Sequence, residues 1–213
     1  MYPSAAATIF PDLLAALTGV HPELDIELWE GATLELASAL VDGDVDLAVR
    51  PTVPAPAAIE RLSSAVLWSE PLVAVFRRDD PLAGIPPERE LELADLVDRE
   101  LFMIGGPLGP RRRGAAFESQ LAFSRAGLEP RIAQQTNQPQ TLLALVEAGV
   151  GVGVTNRLAV ATARPGELVV KRIVGPGCHR RVEIWWRSAS PLSRIHRAVI
   201  EECLRLGRRL VPR

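Results

Sequence analysis

Apolar residues in the first part of the chain follow a helical period and then a strand period. Helical spacing through residues 4–19 predicts a first helix that begins at about Ser4 or Ala5 and closes at Gly19. Residues 24–28 then alternate between apolar and acidic side chains, which predicts a half-buried strand. The apolar positions that carry the first helix are Ile9, Leu13, Leu14 and Leu17.

A second helix and a short apolar strand follow. The pattern LELASALVDGDVD predicts a helix capped at Ala32 or Thr33 and ended before Gly43. Leu47 to Val49 reads as a core strand, so Arg50 is expected one residue beyond its carboxyl end. Open α/β sheets place ligand groups at that edge, which makes Arg50 a candidate for binding.

Further helices and strands alternate along the rest of the chain, which predicts two small α/β lobes with a ligand between them. The predicted strands are 62–68, 72–76, 101–104, 131–135, 168–173 and 182–186, and the predicted helices are 92–97, 113–126, 156–162 and 193–207.

The stretch TNQPQTLLALVEAGVGVGVT, residues 136–155, combines a strand end, a helix and a glycine-rich strand. Thr136 and Asn137 are residue types that cap helices, and Pro139 fits a first helical turn. Three valines then alternate with Gly149, Gly151 and Gly153, so a strand here has a valine face and a bare face. Two interpretations stay open: a tightly packed βαβ unit, or the edge of a ligand cleft.

Composition and charge exclude several classes of protein. The 213 residues are 47% hydrophobic and 23% charged, which is typical of one large or two small globular domains. The apolar runs are too short to predict a membrane-spanning segment, and the start does not read as a secretory signal. A net charge of -2 argues against binding of nucleic acid by this chain. The last residues, LVPR (210–213), resemble a thrombin-site remnant and are left out of the fold prediction.

Sequence motifs for catalysis, metals and cofactors are lacking. His21, His179 and His196 lie in unrelated segments, and no metal-ligand spacing, GxSxG elbow or phosphate-binding loop is found. Cys178 and Cys203 are isolated thiols, which favours a reducing, cytoplasmic compartment over a disulfide framework. We therefore expect no catalytic residue, no metal and no cofactor.

Five segments, in this order, resemble the effector-binding domain of LysR-type transcriptional regulators: SAAATIFPDLLAAL, HPELDIEL, GATLELASALVDGDVDLAV, EPLVAVFRRDDPLA and TLLALVEAGVGVGV. The resemblance implies a type II periplasmic-binding-protein-like α/β fold of two lobes joined by two crossover strands. It places lobe I at 1–70 plus 176–209 and lobe II at 71–175. It also implies that a first strand precedes Ser4, and that a DNA-binding helix-turn-helix precedes the sensor domain; this chain contains no such motif.

The same resemblance implies an effector site at helix starts and strand ends. Ser4 and Thr33 each match a hydroxyl residue at a helix start, where a plain capping role is the alternative. Arg50 matches either a counter-charge or a hinge residue. In the second lobe, Gly105 and Gly106 could offer backbone N–H groups, while Thr136 and Asn137 stand at the start of a helix facing the ligand.

The resemblance further implies a mechanism and an assembly. A small anionic effector enters between the lobes and favours one angle between them, and the full-length protein passes that change to DNA. Homodimers pair the first helix, residues 10–17, antiparallel with the partner's helix 113–126, and the full-length protein forms a tetramer. The alternative is a free-standing solute-binding protein of a transporter, because a shared fold does not fix function.

Overall fold

The computed structural model describes residues 1–21, 24–105 and 117–210, and the chain folds into two units. Unit 1 is Met1–Ser69 with Arg181–Arg213, and unit 2 is Glu70–Arg180. The helices are α1 (Pro3–Val20), α2 (Thr33–Asp42), α3 (Glu118–Arg125), α4 (Pro139–Glu147), α5 (Arg157–Ala163) and α6 (Arg194–Leu210). The strands are β1 (Leu47–Pro51), β2 (Leu62–Phe76), β3 (Leu91–Glu92), β4 (Glu100–Ile104), β5 (Arg131–Thr136), β6 (Val152–Asn156), β7 (Val169–Val174) and β8 (His179–Arg187). The chain passes between the units within β2 and again within β8.

Helix α1 is a core helix of unit 1. It begins one residue earlier than expected because Pro3, which lacks an N–H group, is well suited to a first helical turn. Ile9, Leu13 and Leu17 are buried, and α1 packs against α6. By length and hydropathy alone α1 could cross a membrane, but this buried stripe is what a core helix of a globular unit requires.

The predicted strand 24–28 is wrong, since the structure assigns no strand to residues 24–30. Alternating side chains set two faces, but a strand also needs a neighbouring backbone. Near this segment the Met1 amino group donates to the Trp29 carbonyl at 2.5 Å, and the Gly31 N–H donates to the Met1 carbonyl at 3.3 Å. The Tyr2 N–H donates to the Val49 carbonyl at 3.3 Å, so residues 1–2 bond to β1 as well as to residues 29–31.

The remaining sheet of unit 1 is antiparallel. β1 pairs with β8 in a register that places Ala48 opposite Trp185. The start of β2 lies beside the end of β8, where the Ser63 and Ser188 hydroxyl oxygens are 2.8 Å apart. Helix α6 approaches β2 closely, because a Cβ at Gly207 would stand 2.7 Å from the Leu67 carbonyl oxygen.

Strand β2 is continuous, whereas the sequence predicted two strands separated at residues 69–71. The polar Glu70 interrupts the apolar pattern, but Arg180 pairs with it, and the chain stays extended through this position. In unit 2 the second half of β2 is antiparallel to both β6 and β7. Beyond β6, β4 is parallel to β5 and to β6, so β5, α4 and β6 form a βαβ unit.

The glycines of β6 and of the residues before it leave no open face, because neighbouring groups of the protein occupy the space beside them. A Cβ at Gly153 would lie 2.5 Å from Leu142 Cδ2 of α4, and a Cβ at Gly151 would lie 2.3 Å from the Glu100 carbonyl oxygen. Gly149 has a φ of 76° and ends α4 in the left-handed region. Tight packing of a βαβ unit therefore explains these glycines.

Candidate functional site

The site residues predicted in unit 1 lie at the starts of α1 and α2. Ser4 is the second residue of α1 and is 4% exposed, while Thr33 is the first residue of α2. The capping alternative is wrong for both, since the residues at the cap positions are Tyr2 and Ala32. Neither helix has a hydrogen bond from a capping side chain. In α1 Pro3 has no N–H and the Ala5 N–H donates to the Tyr2 carbonyl at 3.0 Å, so the Ser4 N–H is the first-turn donor left for another acceptor.

Arg50 does not stand beyond a strand end, contrary to the expectation. It lies inside β1 with no exposed surface. Its Nε donates to the Thr33 carbonyl at 3.1 Å, its Nη2 donates to the Pro54 carbonyl, and its guanidinium lies 5.4 Å from the ring centre of Trp185. Arg50 is thus hydrogen-bonded to the first residue of α2 and is buried away from any ligand that approaches from solvent.

In unit 2 the predicted residues meet where β4 and β5 end. The Gly105 N–H donates to the Thr136 carbonyl at 3.0 Å, so this N–H is already used and the expectation that it is offered to a ligand is wrong. The Thr136 hydroxyl accepts from the Gln138 N–H at 3.1 Å, and Gln138 is the cap residue of α4. Asn137 is exposed beside it, and Gly106 lies outside the described residues.

Sequence reasoning missed several polar side chains that the fold buries in unit 2. Thr155 and Asn156 end the valine-rich β6 and are buried, and neither Thr155 Oγ1 nor Asn156 Nδ2 has a hydrogen-bond partner within the described residues. Gln135 packs over Gly105, with its Nε2 3.0 Å from where a glycine Cβ would stand. A sequence signal for these residues exists, since Thr155 and Asn156 are two polar residues at the end of an otherwise apolar strand.

A surface groove of about 630 Å³ lies at the opposite, amino-terminal ends of β4 and β6. Its cations are paired within the groove. Arg77 bonds both carboxylate oxygens of Asp79, at 2.8 and 2.7 Å, and Arg99 pairs with Asp80. The hydrogen bonds from Arg77 lower the pKa of Asp79. Among the described residues that line the groove, both arginines are therefore already paired with an aspartate.

Metal and thiol chemistry find no support in the described ranges. Within residues 1–21, 24–105 and 117–210, no three histidine, cysteine or acidic side chains are grouped to hold a metal ion. Cys178 and Cys203 are free and buried. Burial raises the pKa of both thiols, that of Cys203 to about 12, so both are protonated and unreactive near neutral pH.

Two α/β units with crossovers in β2 and β8 define the class of two-lobed, periplasmic-binding-protein-like domains. A family model described as the LysR substrate binding domain matches residues 1–208. The chain belongs to this family, and the predicted resemblance is confirmed.

Relatives in the family are named as regulators. CatR of Pseudomonas putida is 34% identical over 151 residues, which are 70% of this chain and 48% of CatR. BenM of Acinetobacter baylyi is 28% identical over 144 residues, 68% of this chain and 45% of BenM. The chain thus spans about half the length of the curated relatives it matches.

Solved structures confirm the predicted fold class. The effector-binding domain of a BenM variant superposes with a TM-score of 0.81 at 21% identity, covering 98% of this chain and 93% of that chain. The effector-binding domain of QuiR in complex with shikimate gives 0.80 at 20% identity, covering 99% and 96%. The BenM domain with its effector benzoate gives 0.76 at 20% identity, covering 98% and 89%.

Proposed function

We propose that this chain is the ligand-sensing regulatory domain of a LysR-type transcriptional regulator and that it binds a small anionic effector. The family match over residues 1–208 is the observation that carries the proposal. Two neighbouring structures, by their descriptions, hold benzoate and shikimate, both of which are carboxylic acids. The full-length regulator would bind DNA through its own DNA-binding domain and act in the cytoplasm as a tetramer.

The starts of α1, α2 and α4 supply the chemistry that an anion needs. A helix start has unbonded N–H groups and about half a positive charge, which stabilises a carboxylate without a lysine or arginine. None of these three helices has a hydrogen bond from a capping side chain. Ser4 and Thr33 add hydroxyl groups in unit 1, and Thr136 and Asn137 add polar groups in unit 2.

A thermal-shift screen of carboxylates, amino acids and aromatic acids tests the proposal directly. A ligand that binds only the folded chain raises its melting temperature by an amount that grows with the ratio of its free concentration to its Kd. Benzoate and shikimate are the first two probes. A screen in which no anion of any class shifts the melting temperature or binds in calorimetry would contradict the proposal.

Loss of the Asn137 amide is expected to weaken effector binding and leave the fold intact. Asn137 is exposed and is not the cap residue, so Asn137→Ala removes no capping bond. A charged oxygen that loses a donor loses about 1.5–3 kcal/mol of binding free energy. Calorimetry with the best hit of the screen measures the difference, and circular dichroism confirms folding.

Ser4→Ala tests the candidate residue of unit 1 in the same way. Combining it with Asn137→Ala forms a double-mutant cycle, and non-additive losses would indicate that the two residues are coupled in effector binding. Gln140→Ala is not a neutral control because it lies in the α4 first turn; Glu147→Ala at the far end of α4 is the matched control. Unchanged affinity in both Ser4→Ala and Asn137→Ala would move the site away from these helix ends.

The chain is expected to form a dimer through α1. After Ile9, Leu13 and Leu17 are buried in unit 1, Phe10 and Leu14 remain only half-buried on another face of the helix. We propose that this face packs on α3 of a second copy, since the resemblance pairs these helices. Light scattering is expected to give twice the mass of 23.1 kDa for the wild type.

Leu14→Glu should give the monomer mass, because a buried carboxylate opposes association. Ile59→Glu, at an exposed apolar position outside α1, is the control and should remain dimeric. A wild type that stays monomeric at high micromolar concentration would refute the role of α1.

This chain alone is not expected to bind duplex DNA specifically. Its net charge is -2, and specific binding at physiological salt depends on phosphate contacts by cations together with base contacts by a recognition element. Electrophoretic mobility shift with operator-sized duplexes measures this. Saturable, sequence-dependent binding by the chain alone would overturn the assignment as a sensor domain.

A further inference from the structure

The packing of α4 on β6 indicates where Thr155 stands relative to this helix. β5 and β6 are both parallel to β4, so α4, which connects them, runs antiparallel to β6. Gly153 contacts Leu142 and Val146 of α4, and Thr155 is on the same face of β6. From Gly153 to Thr155 the strand advances by about 7 Å, and a helix covers that length in roughly four to five residues. Because α4 runs antiparallel to β6, Thr155 is opposite a point about four residues nearer the start of α4 than the point opposite Gly153. Thr155 is therefore placed under the α4 start rather than under its middle.

The Thr155 hydroxyl has no partner in this position. The side chain is 2% exposed, and its Oγ1 makes no hydrogen bond within the described part of the chain. Buried polar groups are generally paired, so a buried hydroxyl without a partner calls for an explanation, such as a water or a ligand that it binds. The strand is otherwise apolar up to this point, and valine would fill the same volume without the polar atom.

The first turn of α4 also has polar groups without a capping hydrogen bond. It has no capping side-chain bond, Pro139 at its first position has no N–H, and the next N–H groups are those of Gln140 and Thr141. An unpaired hydroxyl and an uncapped helix start thus lie at the same place. One negatively charged acceptor with two oxygens could satisfy both, because the hydroxyl can donate to one oxygen while the helix N–H groups donate to the other.

We propose that Thr155 and the first turn of α4 together bind the carboxylate of the effector, with Thr155 as a specificity-determining residue. This inference rests on the proposed function and adds a donor from β6 to the groups at the helix start. Because the Thr155 side chain is 2% exposed, effector binding through its hydroxyl requires a local movement that uncovers it.

Asn156 provides a matched control on the same strand. It is also buried, and its Nδ2 also has no partner within the described residues. As the next residue along β6, it faces the opposite side of the sheet, together with Val152 and Val154, away from α4. A general effect of removing a buried polar group would appear at both positions, whereas effector binding would depend on Thr155 alone.

The test is a benzoate titration followed by the backbone amide resonances of ¹⁵N-labelled protein, up to the solubility limit of benzoate. The wild type is expected to show saturable shifts of the Gln140 and Thr141 amides. Thr155→Val should weaken benzoate binding roughly ten-fold or more, with an unchanged or higher melting temperature because the unpaired hydroxyl is gone. Thr155→Ser, which keeps the hydroxyl, should restore most of the affinity, and Asn156→Leu should bind like the wild type.

Three results would overturn the inference: no shift of these two amides in the wild type, unchanged affinity in Thr155→Val, or an equal loss in Asn156→Leu. The outcome is separable from that of the proposed function. If carboxylates bind the wild type and shift amides elsewhere, only the role of Thr155 fails. If no anion shifts any amide or the melting temperature, the proposed function fails as well.

Discussion

Arg180→Met is expected to lower the free energy of unfolding by about 3–5 kcal/mol, the largest change we predict for a single side chain. Arg180 and Glu70 are each 5% exposed, and Arg180 Nε and Nη2 lie 3.0 and 2.6 Å from Glu70 Oε1. The second oxygen of Glu70 accepts from the Leu158 N–H at 2.7 Å. Removal of the guanidinium leaves a buried carboxylate whose charge is no longer compensated. Urea unfolding followed by circular dichroism measures the loss.

Two further variants test whether the burial of the ion pair causes the loss of stability in Arg180→Met. Arg78→Met breaks an exposed ion pair with Glu167 and should cost no more than about 1 kcal/mol. The double variant Glu70→Leu with Arg180→Met removes both charges and should recover much of the stability lost in Arg180→Met. A single Arg180→Met that unfolds at the wild-type urea concentration would show that the pair contributes little to holding β2 and β8 at this point.

Gly151→Ala is expected to destabilise the fold by about 1–3 kcal/mol, the typical cost of overpacking. The added Cβ would stand 2.3 Å from the Glu100 carbonyl oxygen, which is backbone and cannot rotate away. β4 and the chain entering β6 would have to separate, and the parallel pairing of Leu101 with Val152 would be strained. The same unfolding experiment measures the effect.

Gly84→Ala is the matched control in unit 2, because a Cβ at Gly84 meets nothing within 4 Å. Gly153→Ala should be milder than Gly151→Ala, since its nearest neighbour is the flexible end of Leu142. Equal stability of Gly151→Ala and Gly84→Ala would mean that the two strands can separate at no cost.

Elements with local signals were predictable, and those that depend on distant partners were not. The bounds of α2 follow from its own residues, with Ala32 at the cap and Gly43 in the left-handed region at a φ of 90°. Residues 24–28 also carry a clear local signal, the alternation of apolar and acidic side chains, yet no strand forms there. A strand must pair with backbone from another part of the chain, which the local pattern does not encode. Likewise, β2 continues through Glu70, whose charge is paired by Arg180 from far along the sequence.

The candidate site shows the same limit. Ser4 and Thr33 could be placed at helix starts because caps and periodicity are local. Arg50 was expected at a strand end, and its burial against Trp185 and the Thr33 carbonyl depends on contacts that no local pattern encodes. Thr155 was overlooked because its position under α4 follows from the βαβ packing of Gly153 rather than from its own neighbours in sequence.

The two buried, protonated thiols leave the chain silent toward thiol-directed dyes at neutral pH. A maleimide fluorophore should therefore react first with a cysteine introduced on the surface, without prior removal of Cys178 or Cys203. Gln138 is exposed at the start of α4 and is a suitable attachment point. The wild-type background thus allows an optical reporter of effector binding to be built with one substitution.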